Sequence, residues 1–165
     1  MRIDDLDQDR VKPAYLRDIF RTLNVLGIKW DEGPQNEREF QTHYSQLHRM
    51  AIYRQALDRL RAKDLVFACA CNRVKRTHQG DCNCRGKDLP LDQPGHSWRL
   101  ITDHRELQLN TLNGVQQVSI TENMEHFIVR RKDGYPPYQL ASVMDDIHFG
   151  IDLVIRGEDL FDSTV

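Results

Sequence analysis

The sequence predicts an α/β layer domain that is interrupted by an inserted, metal-bearing segment. Three observations lead to this fold class. Helical periodicity dominates the start of the chain, short strand candidates surround four clustered cysteines in the middle, and a strand, a helix and another strand candidate come last. The predicted organisation is therefore one domain in two parts, residues 1–64 and 126–165, with residues 65–125 as the insertion.

Two helices are predicted before the insertion. Pro13 can occupy the first turn of a helix, where its missing N–H is not needed, and Gly27 is a natural stop. Apolar residues recur between them at helical spacing: Leu16, Ile19, Phe20, Leu23 and Leu26. A longer helix is predicted over residues 37–63. Its buried stripe would include Leu47, Met50, Ala51, Leu57 and Leu60.

The remaining elements are shorter. Apolar and β-branched runs predict these strands: 66–68, 97–101, 116–120, 127–130 and 152–156. The polar stretch 72–95 contains two glycines and two prolines before its final glycine, and it predicts a loop. Pro136 and Pro137 favour a helix start, so a helix is expected over residues 138–149, with Gly150 as its end.

The cysteines form two CxC pairs, Cys69 with Cys71 and Cys82 with Cys84. Zinc takes four ligands in a tetrahedron and binds thiolates well, so each pair can supply two sulfurs from one turn. Two disulfides, or four unrelated thiols, are the alternatives. The opening residues do not resemble a secretory signal, and clustered cysteines in a reducing compartment favour a metal. His78, between the pairs, could replace one sulfur.

Composition limits the classes of function. Hydrophobic residues make up 39% of the chain, which permits a core, but no run of about 18 apolar residues exists to span a membrane. A cytoplasmic protein is expected. The formal net charge is −2, so any contact with a polyanion must come from a local patch. Cations flank the cysteines: Arg73, Lys75, Arg76, Arg85 and Lys87. They suit a phosphate backbone, or they balance the thiolates.

Five segments, in one order along the chain, resemble a known family. They are R-I-D-D-L-D at 2–7, W-D-E-G-P at 30–34, F-I-V-R-R-K-D-G at 127–134, Y-Q-L-A-S-V-M-D-D at 138–146 and I-R-G-E-D-L-F-D-S-T at 155–164. They are similar to segments of the class I glutamyl- and glutaminyl-tRNA synthetases. The short zinc knot after a C-x-C pair resembles the glutamyl-queuosine branch of that family. A second CxC pair stands where that branch often has a Tyr and a Cys.

The resemblance implies a partial Rossmann-like class I synthetase catalytic domain with an inserted zinc-bearing α+β subdomain at the acceptor end. The family's H-I-G-H-type and K-M-S-K-type segments grip the ATP phosphates, and neither occurs in the 165 residues. They are expected before residue 1 and after residue 165. The chain is therefore expected to be a fragment that is inactive by itself, and no catalytic residue is assigned in it.

The resemblance also implies a glutamate pocket. Asp4 matches the acidic residue that meets the substrate ammonium, although glutamyl enzymes usually have Glu there. Tyr138 matches a tyrosine that contacts the amino acid. Arg156 matches the arginine that pairs with the side-chain carboxylate, and a planar guanidinium suits that task because it binds a carboxylate through two parallel hydrogen bonds.

The implied function is ATP-dependent activation of glutamate, with Mg²⁺, followed by its transfer to tRNA, in the queuosine branch to the modified base of tRNA(Asp). The implied partners are tRNA, glutamate and ATP; Zn²⁺ is the cofactor, and a monomer is expected. Three alternatives remain open: part of an ordinary glutamyl-tRNA synthetase, a non-catalytic zinc-containing RNA-binding module, and a metal-dependent phosphoryl enzyme. The last would need Asp4, Asp5 and Asp7 to converge on a divalent ion.

Overall fold

The computed structural model describes residues 1–71, 82–102, 106–120 and 124–163. Its chain divides into two compact units, Met1–Gln55 and Ala56–Val165, each with apolar clusters of its own. The boundaries predicted at 64/65 and 125/126 remain predictions.

The first unit is built on helix α1 (Pro13–Val25), which confirms the predicted helix. The chain leaves this helix through Gly27, whose φ of 66° lies in the left-handed region that favours glycine. Leu16 and Phe20 are buried and pack against Phe40. Partly buried side chains cover this cluster: Met1, Ile3, Trp30 and Tyr44. Not all of the apolar residues at helical spacing are buried, since Ile19 and Leu26 are exposed.

The single helix predicted over residues 37–63 is wrong. The chain instead forms four consecutive elements: α2 (Glu37–Glu39), a π-helical turn (Phe40–Tyr44), a 3-10 turn (Gln46–Arg49) and α3 (Met50–Ala62). Ser45 interrupts them with an extended ψ of 138°. Its hydroxyl accepts a hydrogen bond from the backbone N–H of Leu47 and donates one to Asp5 Oδ2, so the break is held by a partner 40 positions away.

The break also changes which side chains are buried. Leu57 is 4% exposed, as predicted, whereas Leu47 is 40% exposed and Ala51 is exposed too. Tyr53, which was not predicted to be buried, is completely inaccessible. Leu47 points away from the core because it lies in the 3-10 turn, which has three residues per turn and does not continue the spacing of α3. Within α3 the buried positions are Tyr53, Ala56 and Leu57, so the predicted stripe placed Ala51 on the wrong side of the helix.

The second unit contains a three-stranded antiparallel sheet in the order β1-β2-β5, formed by β1 (Val66–Cys69), β2 (Ser97–Leu100) and β5 (Ile128–Arg130). All three strands were predicted. One face packs Val66, Trp98 and Val129 around Leu57, and the other carries Phe67 with two cysteines. The strands paired in the described residues are antiparallel, so the Rossmann-like parallel sheet stays a prediction.

A separate hairpin pairs β3 (Glu106–Thr111) with β4 (Gly114–Ser119). The prediction found β4 but not β3. The two-residue connection of Leu112 and Asn113 leads into Gly114, whose φ of 108° suits a glycine. Most of the hairpin's side chains are exposed, so its register depends on the turn and the ladder of backbone hydrogen bonds.

Helix α4 (Tyr138–His148) confirms the predicted final helix. Pro137 precedes it in an extended conformation, and Gly150 follows it with a φ of 65°. The strand predicted over 152–156 is wrong: these residues form no strand, and Ile155 is 83% exposed. A strand requires a neighbour to accept its backbone hydrogen bonds, and none of the described strands pairs with this segment. None of the helices in the described ranges is long and apolar enough to cross a membrane.

Candidate metal centre and amino-acid site

The four cysteines converge in the second unit. Their sulfur atoms all lie within 4.8 Å of one another, and none is in a disulfide. Cys82 Sγ is 3.4 Å from Cys69 Sγ and 3.8 Å from Cys71 Sγ, and Cys71 Sγ is 3.5 Å from Cys84 Sγ. The predicted convergence of the two CxC pairs is therefore confirmed.

These separations fit one tetrahedral ion. Zinc bonds thiolate sulfur at about 2.3 Å, and four ligands at that distance lie about 3.8 Å apart along the edges of a tetrahedron. The three sulfur separations, 3.4 to 3.8 Å, are close to that edge length. Disulfide sulfurs would lie about 2.05 Å apart. The residues therefore fit a zinc ion and do not fit two disulfides.

Secondary structure positions the cluster. Cys69 is the last residue of β1 and is 1% exposed, and the Ser97 hydroxyl on β2 donates a hydrogen bond to its carbonyl. Cys84 is 5% exposed and precedes the 3-10 turn Arg85–Lys87. Lys132 Nζ donates to the carbonyl of Ala70, between the first two cysteines. The first cysteine pair is thus attached to the sheet through β1, and the second pair to the 3-10 turn that follows Cys84.

The pKa values of two of the thiols, Cys69 and Cys82, are shifted in opposite directions. Burial, followed by the nearby cysteines, raises the pKa of Cys82 to about 12. Burial would also raise the pKa of Cys69, but hydrogen bonding by Arg99 and by the backbone of Cys71 outweighs it and lowers that pKa to about 6. Neighbouring thiolates repel one another, so a divalent cation among them is what would allow the remaining thiols to ionise.

Several sequence-predicted contributors lie outside the described residues. His78 is one of them, so its exchange with a sulfur ligand stays a prediction. The same holds for the cations Arg73, Lys75 and Arg76. Arg85 and Lys87 are exposed in the turn that follows Cys84.

In the first unit, hydrogen bonds fix the orientation of the Asp4 carboxylate. Its Oδ1 accepts hydrogen bonds from Arg2 Nε over 3.2 Å and from Gln46 Nε2 over 3.1 Å. Its side chain remains 34% exposed, so the carboxylate is oriented without being enclosed. Gln46 is 2% exposed and is itself fixed by backbone contacts, which makes it a rigid support.

Tyr138 and Arg156 lie in the second unit. Tyr138 is the first residue of α4 and is 56% exposed. Arg156 is half-buried in the irregular segment before the 3-10 turn Glu158–Ser163, not at the end of a strand as predicted. The convergence of Asp4, Tyr138 and Arg156 on one amino acid stays a prediction.

The three-carboxylate alternative is wrong. Both carboxylate oxygens of Asp5 accept hydrogen bonds, from the Ser45 hydroxyl and from the backbone N–H of Gln46. Asp7 is exposed and pairs with Arg10. Among the described residues, the one group with metal-ligand geometry is the four cysteines.

The family model for "tRNA synthetases class I (E and Q), catalytic domain" matches residues 1–88 and 92–165. The chain belongs to this class I synthetase family. A "Glutamyl-Q tRNA(Asp) synthetase" of Dechloromonas aromatica is 36% identical over 176 residues, which covers 99% of this chain and 55% of that protein. The protein of the same name from Aromatoleum aromaticum is 33% identical, over 99% of this chain and 52% of its own length.

More distant synthetases also match. A "Glutamate--tRNA ligase" of Coprothermobacter proteolyticus is 30% identical over 99% of this chain and 38% of its own length. The crystal structure of a glutamate-tRNA synthetase from Elizabethkingia anophelis superposes with a TM-score of 0.74 at 24% identity, over 98% of this chain and 38% of that one. That likeness supports the class I synthetase fold. The chain spans about half the length of the curated glutamyl-Q relatives it matches.

Two residues that support the candidate sites, Gln46 beside Asp4 and Arg99 beside Cys69, were not identified from the sequence. Gln46 and Arg99 are both polar and almost completely buried. Arg99 stands in the strand between Trp98 and Leu100, and a charged residue inside an apolar strand is a signal of a buried partner. Gln46 carries no comparable signal, because its role depends on Asp5, 41 positions away.

Proposed function

We propose that this chain is the part of a glutamate-activating synthetase that holds the amino acid and a structural zinc ion, and that the enzyme transfers glutamate to queuosine of tRNA(Asp). The observation that carries the proposal is the match over 99% of the chain to relatives named for that reaction. In two steps, the glutamate carboxylate attacks the α-phosphate of ATP, which forms glutamyl-adenylate and releases pyrophosphate, and the glutamyl group then moves to an RNA hydroxyl with release of AMP. The protein is expected to act as a cytoplasmic monomer.

Zinc is proposed for the four-cysteine cluster. The spacing of the sulfurs and their burial support a closed structural site, since Cys69, Cys71, Cys82 and Cys84 leave no coordination position for a substrate. When bound, the ion supplies no chemistry to the transfer. It would fix β1 and the turn after Cys84 relative to each other.

Asp4, Tyr138 and Arg156 are proposed as the glutamate contacts. Asp4 would hold the ammonium group, and its fixed orientation on Gln46 supports that role, because a preset carboxylate loses little freedom when it binds a cation. Arg156 would bind the side-chain carboxylate, and Tyr138 would line the pocket from the first turn of α4. ATP and Mg²⁺ would be met by residues outside this set.

The test is a chimeric enzyme in which residues 1–165 replace the matching segment of the Dechloromonas aromatica relative. The chimera should catalyse glutamate-dependent exchange of pyrophosphate into ATP and should charge queuosine-containing tRNA(Asp), but not the same tRNA without queuosine. The chain of 165 residues alone should give no exchange. The unaltered relative serves as the positive control.

The second candidate is an ordinary glutamate–tRNA ligase, which the match to the Coprothermobacter proteolyticus protein favours. Charging of tRNA(Glu) by the chimera would move the assignment to this candidate. A chimera that folds and binds tRNA but never activates glutamate would instead favour a non-catalytic RNA-binding module.

A further inference from the structure

Arg99 is a buried cation on the sulfur-bearing face of the sheet. It is 3% exposed and stands in β2 opposite Phe67 of β1, whose side chain packs with the cysteines. Its Nη1 donates to the carbonyl of His126 over 2.6 Å. A charge in the protein interior is costly unless an opposite charge lies close to it.

The described residues provide no carboxylate partner for Arg99, and its Nε has no hydrogen-bond partner among them. The register Phe67↔Arg99 places its side chain on the same face of the sheet as Cys69, two residues further along β1, and the guanidinium hydrogen-bonds the Cys69 side chain. Cys69 and Cys84 are both buried, so water cannot neutralise charge on their sulfurs. The counter-charge to Arg99 is therefore the cysteine cluster.

Four thiolates around one Zn²⁺ carry a net charge of about −2, because four negative charges exceed two positive ones. A single buried guanidinium next to Cys69 cancels part of that excess. It does so at the most deeply buried of the four sulfurs, where solvent and surface cations contribute least.

We propose that Arg99 is a positioning residue of the metal centre, which fixes Cys69 Sγ and balances part of the negative charge of the metal–thiolate group. The proposal rests on the zinc site proposed above. It makes Arg99 a determinant of metal affinity, in the way that groups hydrogen-bonded to metal ligands commonly change affinity.

A purely structural role is the competing explanation, since Arg99 also ties β2 to His126. That role predicts a loss of stability that is equal with and without metal. Arg130 offers a matched control. It is an arginine of the same sheet, but it stacks 5.2 Å from the ring of Trp98, on the face that lacks the cysteines.

The experiment compares the unsubstituted 165-residue chain with Arg99→Gln, Arg99→Lys and Arg130→Gln. Zinc affinity is measured by competition with a chromophoric chelator, Co²⁺ absorption reports on the thiolate ligands, and urea unfolding gives the stability of the metal-free chain. Arg99→Gln should weaken zinc binding by about 10- to 100-fold and shift the Co²⁺–thiolate bands. Arg99→Lys, which keeps the charge, should fall between Arg99→Gln and the unsubstituted chain. Arg130→Gln should change stability alone.

Zinc affinity of Arg99→Gln within twofold of the unsubstituted chain would overturn the proposal, as would equal losses of affinity in Arg99→Gln and Arg130→Gln. If Arg99→Gln does not fold, Arg99→Lys decides, and an unchanged affinity with an unchanged Co²⁺ spectrum overturns the proposal. A chain that binds no zinc without any substitution would contradict the metal site itself, which is a different outcome from an Arg99 without effect.

Discussion

Gln46 and Asp5 satisfy each other's polar groups across 41 positions of the chain. The backbone N–H of Gln46 donates to Asp5 Oδ1 over 2.8 Å, and the backbone N–H of Asp5 donates to Gln46 Oε1 over 3.0 Å. Both residues are buried. The remaining polar group of Gln46, its Nε2, reaches Asp4. These hydrogen bonds tie the N-terminal segment to the interruption after the π-helical turn, in addition to the packing of Met1 and Ile3 on the cluster of α1.

Replacing Asp5 by alanine should lower the free energy of unfolding by about 3 kcal/mol, because the buried N–H of Gln46 and the Ser45 hydroxyl would lose their acceptors. Urea denaturation measures the change. Asp9→Ala is the control, since Asp9 is exposed and its replacement should cost less than about 0.5 kcal/mol. Equal stabilities of the two variants would mean that the network does not stabilise the fold.

Purified protein should contain one zinc ion per chain, as measured by elemental analysis. Cys82→Ser should lose most of it, because hydroxyl oxygen is a poor replacement for thiolate in a closed zinc site. Amide exchange should then quicken around β1 and the turn after Cys84, and not in α1, which lies in the other unit. Asn83→Ala, at the exposed position between two ligands, is the matched control and should keep its metal.

Arg156→Ala in the chimeric enzyme should reduce glutamate-dependent pyrophosphate exchange at least about tenfold, because the side-chain carboxylate of glutamate would lose its charged partner. Arg17→Ala, at an exposed position of α1, should leave the exchange rate unchanged. If both variants exchange at the rate of the chimera without substitutions, Arg156 does not contact the amino acid.

Gly150→Ala should destabilise the chain by about 1–2 kcal/mol, because a φ of 65° brings a β-carbon too close to the following carbonyl oxygen. A clash with neighbouring residues is not the reason, since a β-carbon at Gly150 would meet nothing within 4 Å. Gly86→Ala provides the comparison: that position is equally open, and its φ is not positive. Similar melting temperatures for the two variants would contradict this account of the end of α4.

Helices whose two ends are marked by nearby residues could be predicted from the sequence. Helices α1 and α4 begin at a proline or directly after one, and a glycine of positive φ follows each, so both were found close to their true ends. Strand β3 was missed although a signal existed. Leu107, Leu109 and Thr111 alternate with polar residues, and the pair Asn113-Gly114 is a strong sequence signal for a hairpin.

Non-local contacts account for the errors. Serine is a good N-cap but also occurs inside helices, so Ser45 alone does not decide for a break; the contact that fixes it comes from Asp5. The same limit applies to the candidate site. The two CxC pairs indicated four ligands, and the sulfurs do converge, but Arg99 could be assigned to them only once the register of β1 and β2 placed it on their face.

Along the chain, the four cysteines stand between the end of β1 and the start of β2, and this placement affects the rate at which the two strands can pair. Cys69 must meet Ser97, which lies 28 positions along the chain, and that loop has to close before the strands can pair. A metal ion that first joins Cys69 to Cys84 would shorten the loop to roughly half of that length, and each halving lowers the entropic cost of closure by about 0.6 kcal/mol. Refolding with zinc should therefore be about threefold faster than refolding without it, even if the folded sheet is the same in both cases.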